Sequence, residues 1–280
     1  MATADVVLTS KAFTLVGTGA TFQTGSHHIN VGAGCAVQVR DLSGSSYACT
    51  LTTDTSTLTL TGISGNLGDF TGYSFTASNC TVQVSRSNLI GFMANQGADV
   101  TIDRALVTGQ WWTVIPSGSG VRIHVTNSVF ANISETVGFN TPVNNAAVDV
   151  NLAYDTFYND QQNPAFICPT NSVDPSAFVL TNDIFFAPGT GNGDAITSQG
   201  TPISCSADTN VEYPQSTVIG TGVVTLDPRL VDPANGNFHL MSVGPAIDTA
   251  KVIANDATHD FDGTTRPQGP RNDIGAFEYH

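Results

Sequence analysis

Basic charge is the scarcest ingredient of this sequence. Lysine occurs only as Lys11 and Lys251, and nine cations face 23 acids for a formal net charge of −14. Nucleic-acid binding runs on Lys and Arg neutralising phosphates, so nucleic acid is not an expected partner. Charged residues of all kinds make up 11% of the chain, against roughly 25% in ordinary globular proteins. Long apolar runs are missing as well. No stretch reaches the roughly 18 residues of a membrane-spanning helix, so no transmembrane segment is expected. No charged-then-apolar leader opens the chain either, and an exported protein of this sequence is expected to lack its export signal here.

Five cysteines (Cys35, Cys49, Cys80, Cys168 and Cys205) show no CxxC or Cys/His spacing, which argues against zinc and thioredoxin-like chemistry. The odd number leaves one thiol unpaired in a monomer. Cys35 with Cys49 and Cys168 with Cys205 are local bridges to weigh against buried free thiols. Thr, Ser, Asn and Gly stand where charge is missing, and they favour strands and turns over helices. Excess carboxylates supply hard oxygen ligands, so the composition allows a weak attraction for cations such as Ca²⁺, although solubility is the simpler account of the charge.

What the chain does hold is a repeat. Val121-Arg-Ile-His-Val-Thr-Asn-Ser-Val-Phe130 sets the pattern; Val148-Asp-Val-Asn-Leu-Ala-Tyr-Asp-Thr-Phe157 and Phe178-Val-Leu-Thr-Asn-Asp-Ile-Phe185 follow it. Weaker copies are Val37–Leu42, Leu58–Ile63, Val82–Leu89 and Val100–Leu106. Taking the last apolar residue of each as a marker gives steps of 21, 26, 17, 24, 27 and 28 residues, a mean of about 24, which is a solenoid period. Within each copy, apolar and polar residues alternate, sending one side of a strand to a core and the other to solvent. Asn127 and Asn182 then mark a turn, because Asn tolerates the left-handed backbone better than other non-glycine residues; Tyr154 and Asp103 take that place in other copies.

This repeat resembles the right-handed parallel β-helix of pectate-lyase-like proteins, in which each coil has three short strands. The expected fold is therefore all-β: a right-handed parallel β-helix of roughly 24-residue coils with a C-terminal capping segment. A β-sandwich is the competitor, since short strands at 8–12-residue spacing read similarly, but recurrence of whole motifs favours the helix. The end of the chain carries a more specific likeness. Leu226 to Asp248 and then Asp260-Phe-Asp-Gly-Thr-Thr-Arg-Pro-Gln-Gly-Pro-Arg-Asn-Asp-Ile-Gly-Ala-Phe-Glu-Tyr279 resemble the closing segment of bacterial surface β-helix proteins, the choice-of-anchor Q group. The resemblance implies export and a sorting or anchoring tail, which is expected beyond Tyr279. The chain divides accordingly into a β-helix over 1–245 and a capping segment over 246–280 packed on the same domain. Phe238, Leu240, Ile247, Ile274 and Phe277 are its apolar cover, and Arg266 is expected to pair with Asp260, Asp262 or Asp273. The sharper alternative makes Asp256, Asp260 and Asp262, followed by Gly263, a Ca²⁺ ligand set, though no EF-hand spacing is completed.

In β-helix enzymes the chemistry lies on the outer face of one sheet, where residues one coil apart stack. Aligning the copies on the marker puts Arg104, Ser128, Asp155 and Asp183 in one column, with Asp103, Asn127, Tyr154 and Asn182 in the next. Asp155 and Asp183 then lie about 5 Å apart. Such a pair suits a retaining glycosidase or a Ca²⁺ that acidifies a uronate. The favoured account is plainer: each Asp satisfies its own turn. Arg104, Arg122, His124 and Tyr154 are candidate lyase bases or uronate clamps, with His124 expected to point outward between Ile123 and Val125. His27-His28 lacks a third ligand for a metal. Trp111 and Trp112, with Phe139, Tyr158 and Phe186, are candidate sugar-stacking platforms or simple packing.

Three functions follow from these features. The first is a secreted or cell-surface, non-catalytic protein that binds glycans or other cell-surface material. The second is a carbohydrate-active enzyme, either a glycosidase using stacked aspartates or a Ca²⁺-assisted polysaccharide lyase. The third is a structural stalk or assembly component. Fold alone does not separate them.

Overall fold

The structure is a computed structural model that describes residues 6–8, 12–16, 29–31, 36–40, 49–51, 56–61, 74–77, 80–85, 88–89, 91–95, 99–108, 114–117, 121–131, 137–138, 148–161, 163–168, 178–189, 193–198, 205–254 and 256–280. Among them, regular structure is β throughout except for one turn of 3-10 helix at Pro233–Asn235. The alternation read from the sequence is the reason. In Val121–Thr126, Ile123 and Val125 are fully buried while Arg122 is exposed and His124 half-buried. A β-branched side chain every second residue suits a pleated strand with one face in a core.

Nine such strands form one parallel sheet in chain order: Ala12–Val16, Ala36–Arg40, Ser56–Thr61, Cys80–Ser85, Asp99–Asp103, Val121–Thr126, Val148–Ala153, Phe178–Thr181 and Ser206–Asp208. A six-stranded parallel sheet runs from Asn88–Leu89 through Leu106–Thr108, Val129–Ala131, Thr156–Tyr158 and Ile184–Phe186 to Val211–Tyr213. A three-stranded parallel sheet holds Val137–Gly138, Phe166–Cys168 and Ile196–Ser198. A second six-stranded parallel sheet, Val6–Leu8 to Val114–Ser117, serves the earlier copies. From Val121 onward the chain visits the nine-, six- and three-stranded sheets in that fixed order.

Between a strand of the nine-stranded sheet and the next of the six-stranded sheet, one residue takes the left-handed conformation in every described copy: Arg104 (φ 55°), Asn127 (50°), Tyr154 (61°), Asn182 (61°) and Thr209 (56°). Asn is the residue best suited to that region. Arg, Tyr and Thr are held there by the stack itself, since each turn's N–H donates to the following copy, as Asn127 N does to Ala153 O and Tyr154 N to Thr181 O. Strand register corrects one alignment made from sequence. Leu106 pairs with Val129, not Phe130, so Arg104 belongs with Asn127 and Tyr154, and Asp103 lies one place before the turn. The copy at Val100 ends in two apolar residues, Leu106 and Val107, and the second is the true counterpart of Phe130.

In the sheet that ends at Val211–Tyr213, the strands Val129–Ala131, Thr156–Tyr158 and Ile184–Phe186 are buried on both faces. On one face Phe130, Phe157 and Phe185 stack nearly parallel at centroid separations of 4.6 and 5.0 Å, with Phe166 of the three-stranded sheet at their edge. On the other, Val129, Ala131, Tyr158, Ile184, Phe186 and Val211 pack with Leu230, Phe238, Leu240, Ala246, Ile274 and Phe277. The C-terminal segment therefore covers this sheet lengthwise, against four successive strands. Cys168 and Cys205 form a disulfide with 5.8 Å between Cα atoms, one of the two local bridges expected from the sequence. The side chains of Cys35, Cys49 and Cys80 lie outside the described residues.

Candidate functional site

The stacked aspartates are buried. Asp155 and Asp183 are both fully inaccessible to solvent, and each holds the neighbouring turn. Ser128 N donates to Asp155 Oδ1 (2.7 Å), Asp155 N to Asp183 Oδ1 (2.8 Å) and Asp183 N to Asn210 Oδ1 (2.9 Å), while Ala105 N donates to Ser128 Oγ (3.1 Å). One oxygen of each residue thus satisfies a backbone donor in the copy before it, which a buried N–H requires. Burial pushes both acids well above the ordinary carboxylate range, and for Asp155 the neighbouring Asp183 adds to it. Oδ2 of each has no hydrogen-bond partner among the described residues, so nothing there offsets the burial that disfavours the ionised form. Neither carboxyl reaches a surface where it would meet a glycan. The account from sequence is corrected in one respect: each Asp holds not its own turn but that of the copy before it, and Asn210, missed in the sequence, belongs to the same column one repeat further on.

Arg104 and Tyr154 are separated from that pair. Arg104 Nε pairs with Asp103 at 3.0 Å. Tyr154 points into the C-terminal segment, where its hydroxyl donates to Asp256 and accepts from Asn272 Nδ2 (3.3 Å), and its ring lies under the Arg266 guanidinium at 4.8 Å. Burial, followed by the Asp256 hydrogen bond, raises the phenol further above its usual range, and these contacts clamp the C-terminal segment to the turn at Tyr154. Arg266 is buried, but its partner differs from those expected. Nη1 donates to Glu278 Oε1 (2.8 Å) and to the Asp273 backbone oxygen (2.9 Å), and Nη2 to Gly275 O (2.6 Å). Asp273 spends its carboxylate on the N–H groups of Asp248 (2.6 Å) and Tyr279 (2.7 Å).

The three aspartates offered as Ca²⁺ ligands do not converge. Asp256 accepts from Tyr154. Asp260 is fully buried and accepts from Thr264 N (2.7 Å) and Glu278 N (3.0 Å). Asp262 contacts His239 Nε2 at 2.7 Å. Among the described residues no group of three or more His, Cys, Asp or Glu is placed to hold a metal. The Asp260-Phe-Asp-Gly-Thr-Thr-Arg266 run is a set of turn and clamp contacts. Tyr158 and Phe186 are packing residues in strands, buried against Phe238 and Tyr213. Trp111, Trp112, Phe139 and the His27-His28 pair lie outside the described residues.

Among the described residues there is also an open polar surface. On the outward face of the nine-stranded sheet, register aligns Asp99, Arg122 and Asp149 in one row and Thr101, His124, Asn151, Val179 and Ser206 in the next. These residues are exposed or half-buried. The third row, Asp103, Thr126, Ala153, Thr181 and Asp208, differs: Ala153 and Thr181 are only 4% and 8% exposed. The chain around Lys251 covers them. Asn182, next to Thr181, donates to Lys251 O and accepts from Lys251 N, both at 2.8 Å, and Lys251 Nζ pairs with Asp208. The two open rows therefore form a shelf with a raised wall along one side, and Val252, 75% exposed, is at that wall. Hydrogen-bonding groups repeat along the shelf at the strand spacing of about 4.8 Å. Sequence reading named Arg122 and His124 but missed Asp149 and Asn151, although register spacing alone places them beside the pair.

Glu212, like Glu278, is a buried acid that sequence reading missed. Its Oε2 accepts from Ile219 N at 3.3 Å, and burial pushes its carboxyl up to about 7. It pins the loop whose Thr221 and Val224 add parallel bridges after the last strands. Among the described residues, no helix is long and apolar enough to cross a membrane. Comparison with protein-family models, curated proteins and solved structures finds no match for this chain.

Proposed function

We propose that this chain is a right-handed parallel β-helix of a secreted or cell-surface protein, similar to the choice-of-anchor Q group, and that it binds glycan without cleaving it. The open shelf of the nine-stranded sheet carries this reading. Arg122, Asp149, Thr101, His124 and Asn151 present donors and acceptors at a regular spacing, about the length of one pyranose per strand. The carboxyl pair that would do acid and nucleophile work is turned inward, which favours binding over hydrolysis. The Cys168–Cys205 disulfide favours an oxidising, extracytoplasmic compartment.

The test is retention of the chain on a panel of polysaccharides, read together with reducing ends and unsaturated products, with and without Ca²⁺. The expected outcome is retention without product, reduced by Arg122→Ala and Asn151→Ala with the thermal melt unchanged. Product that disappears in Asp155→Asn or Asp183→Asn would instead make the chain an enzyme. Silence across the panel would favour the structural role.

A further inference from the structure

We infer that the shelf takes neutral, hydroxyl-rich polysaccharide rather than the uronates or sulfated glycans that pectate-lyase-like folds bring to mind; this rests on the glycan-binding reading above. The charge inventory of the shelf and its wall carries it. Among the described residues, every cation there already has an anion. Arg122 pairs with Asp99 at 3.1 Å, Arg104 with Asp103 at 3.0 Å and Lys251 with Asp208. Asp149, exposed and aligned beside Arg122 in the register, has no ion-pair partner among those residues. A polyanion would meet cations whose charge these pairs already offset, and would lie against Asp149 on a chain of net charge −14. Like charge at contact suppresses wrong partners.

A neutral glycan meets no such cost. An exposed carboxylate accepts hydrogen bonds from two adjacent hydroxyls at once, and charge-assisted bonds of this kind are the strong ones. Asp149 is such an acceptor. Among the described residues Arg122 spends only Nη1 on Asp99, and a guanidinium carries five N–H donors; Asn151 and Thr101 bond a hydroxyl in either sense. Val252, next to Lys251, adds an exposed apolar side chain.

The experiment is titration calorimetry of the full chain at pH 8 with mannan, xyloglucan and dextran, and in parallel with polygalacturonate and alginate, each at about 0.05 and 0.5 M NaCl, a range that shortens electrostatic reach severalfold. The expected result is binding of at least one neutral polysaccharide, with affinity changing less than about twofold between the two salts. Asp149→Asn should weaken it about tenfold, the loss of one charge-assisted hydrogen bond. Binding of polygalacturonate or alginate in preference, falling steeply with salt, would overturn the neutral class while leaving glycan binding intact. Neutral binding untouched by both Asp149→Asn and Asn151→Ala would overturn the shelf as the site. No binding to either class would bring down the glycan reading and this inference together.

Discussion

Replacing Asp183 separates a turn-holding acid from a catalytic one and has a magnitude that follows from the ladder. Asp183→Ala removes the acceptor of the Asp155 N–H inside the protein, and an unsatisfied buried donor costs about 1–3 kcal/mol. Asp183→Asn keeps Oδ1 for that N–H and gains an Nδ2. Asn210, one repeat later in the same column, shows where such a group goes: its Nδ2 donates to Leu180 O at 3.2 Å. Leu152 is the register equivalent of Leu180, so D183N has an acceptor waiting at Leu152 O. The pH dependence has a definite sign. The folded-state acid is raised above its unfolded value by burial, so it contributes fully below the ordinary carboxylate value and its contribution is lost as pH rises through the raised value. Wild type should therefore lose stability relative to D183N between pH 4 and pH 8. Urea unfolding of wild type, D183N and D183A at both pH values reads this as shifts in midpoint at constant slope. At pH 8, D183N should equal or exceed wild type and D183A should fall below it. The reasoning fails if D183N loses as much as D183A at both pH values, or if wild type and D183N respond to pH identically.

Arg266→Met should cost about 3–5 kcal/mol, because Glu278 is left buried and unpaired; a lower melting temperature and early protease cuts after residue 245 would check it, and Arg266→Lys should rescue little, since one ammonium cannot reproduce the forked contacts. Glu212 is raised to about 7 by burial, so its contribution is present below its ordinary value and lost as pH rises through about 7. Glu212→Gln should remove that part of the pH dependence, seen as a smaller difference between melts at pH 5 and pH 8. Reducing Cys168–Cys205, which are 37 residues apart, should lower stability by about 2–4 kcal/mol. Cys168→Ser with Cys205→Ser should show the same loss without reductant, and a melt indifferent to both would refute the bridge.

Strands and turns were legible because they depend on neighbours in sequence. Alternation of Val, Ile and polar residues writes a strand wherever it occurs, and Asn127 and Asn182 announced the left-handed turn by intrinsic tolerance. The Asp155 and Asp183 column was legible too, through its spacing, and so was the Cys168–Cys205 option. Arg104 at a left-handed position was not, since no local preference puts it there; the hydrogen bond from its N–H to Thr126 O in the next copy does. Nor did the sequence say that Asp155 and Asp183 face inward, because the N–H groups they satisfy lie a whole repeat away. Arg266 had three aspartates nearby in sequence and took Glu278, which only the folded segment brings to its Nη1. The shelf has the same origin. Its rows follow from alternation, but its wall exists only because Lys251, some seventy residues on from Asn182, is fixed beside Thr181 by two hydrogen bonds. Periodic backbone preference is a property of the chain, whereas the pairing of buried charges and the covering of one row are decided by which distant groups the fold brings into contact.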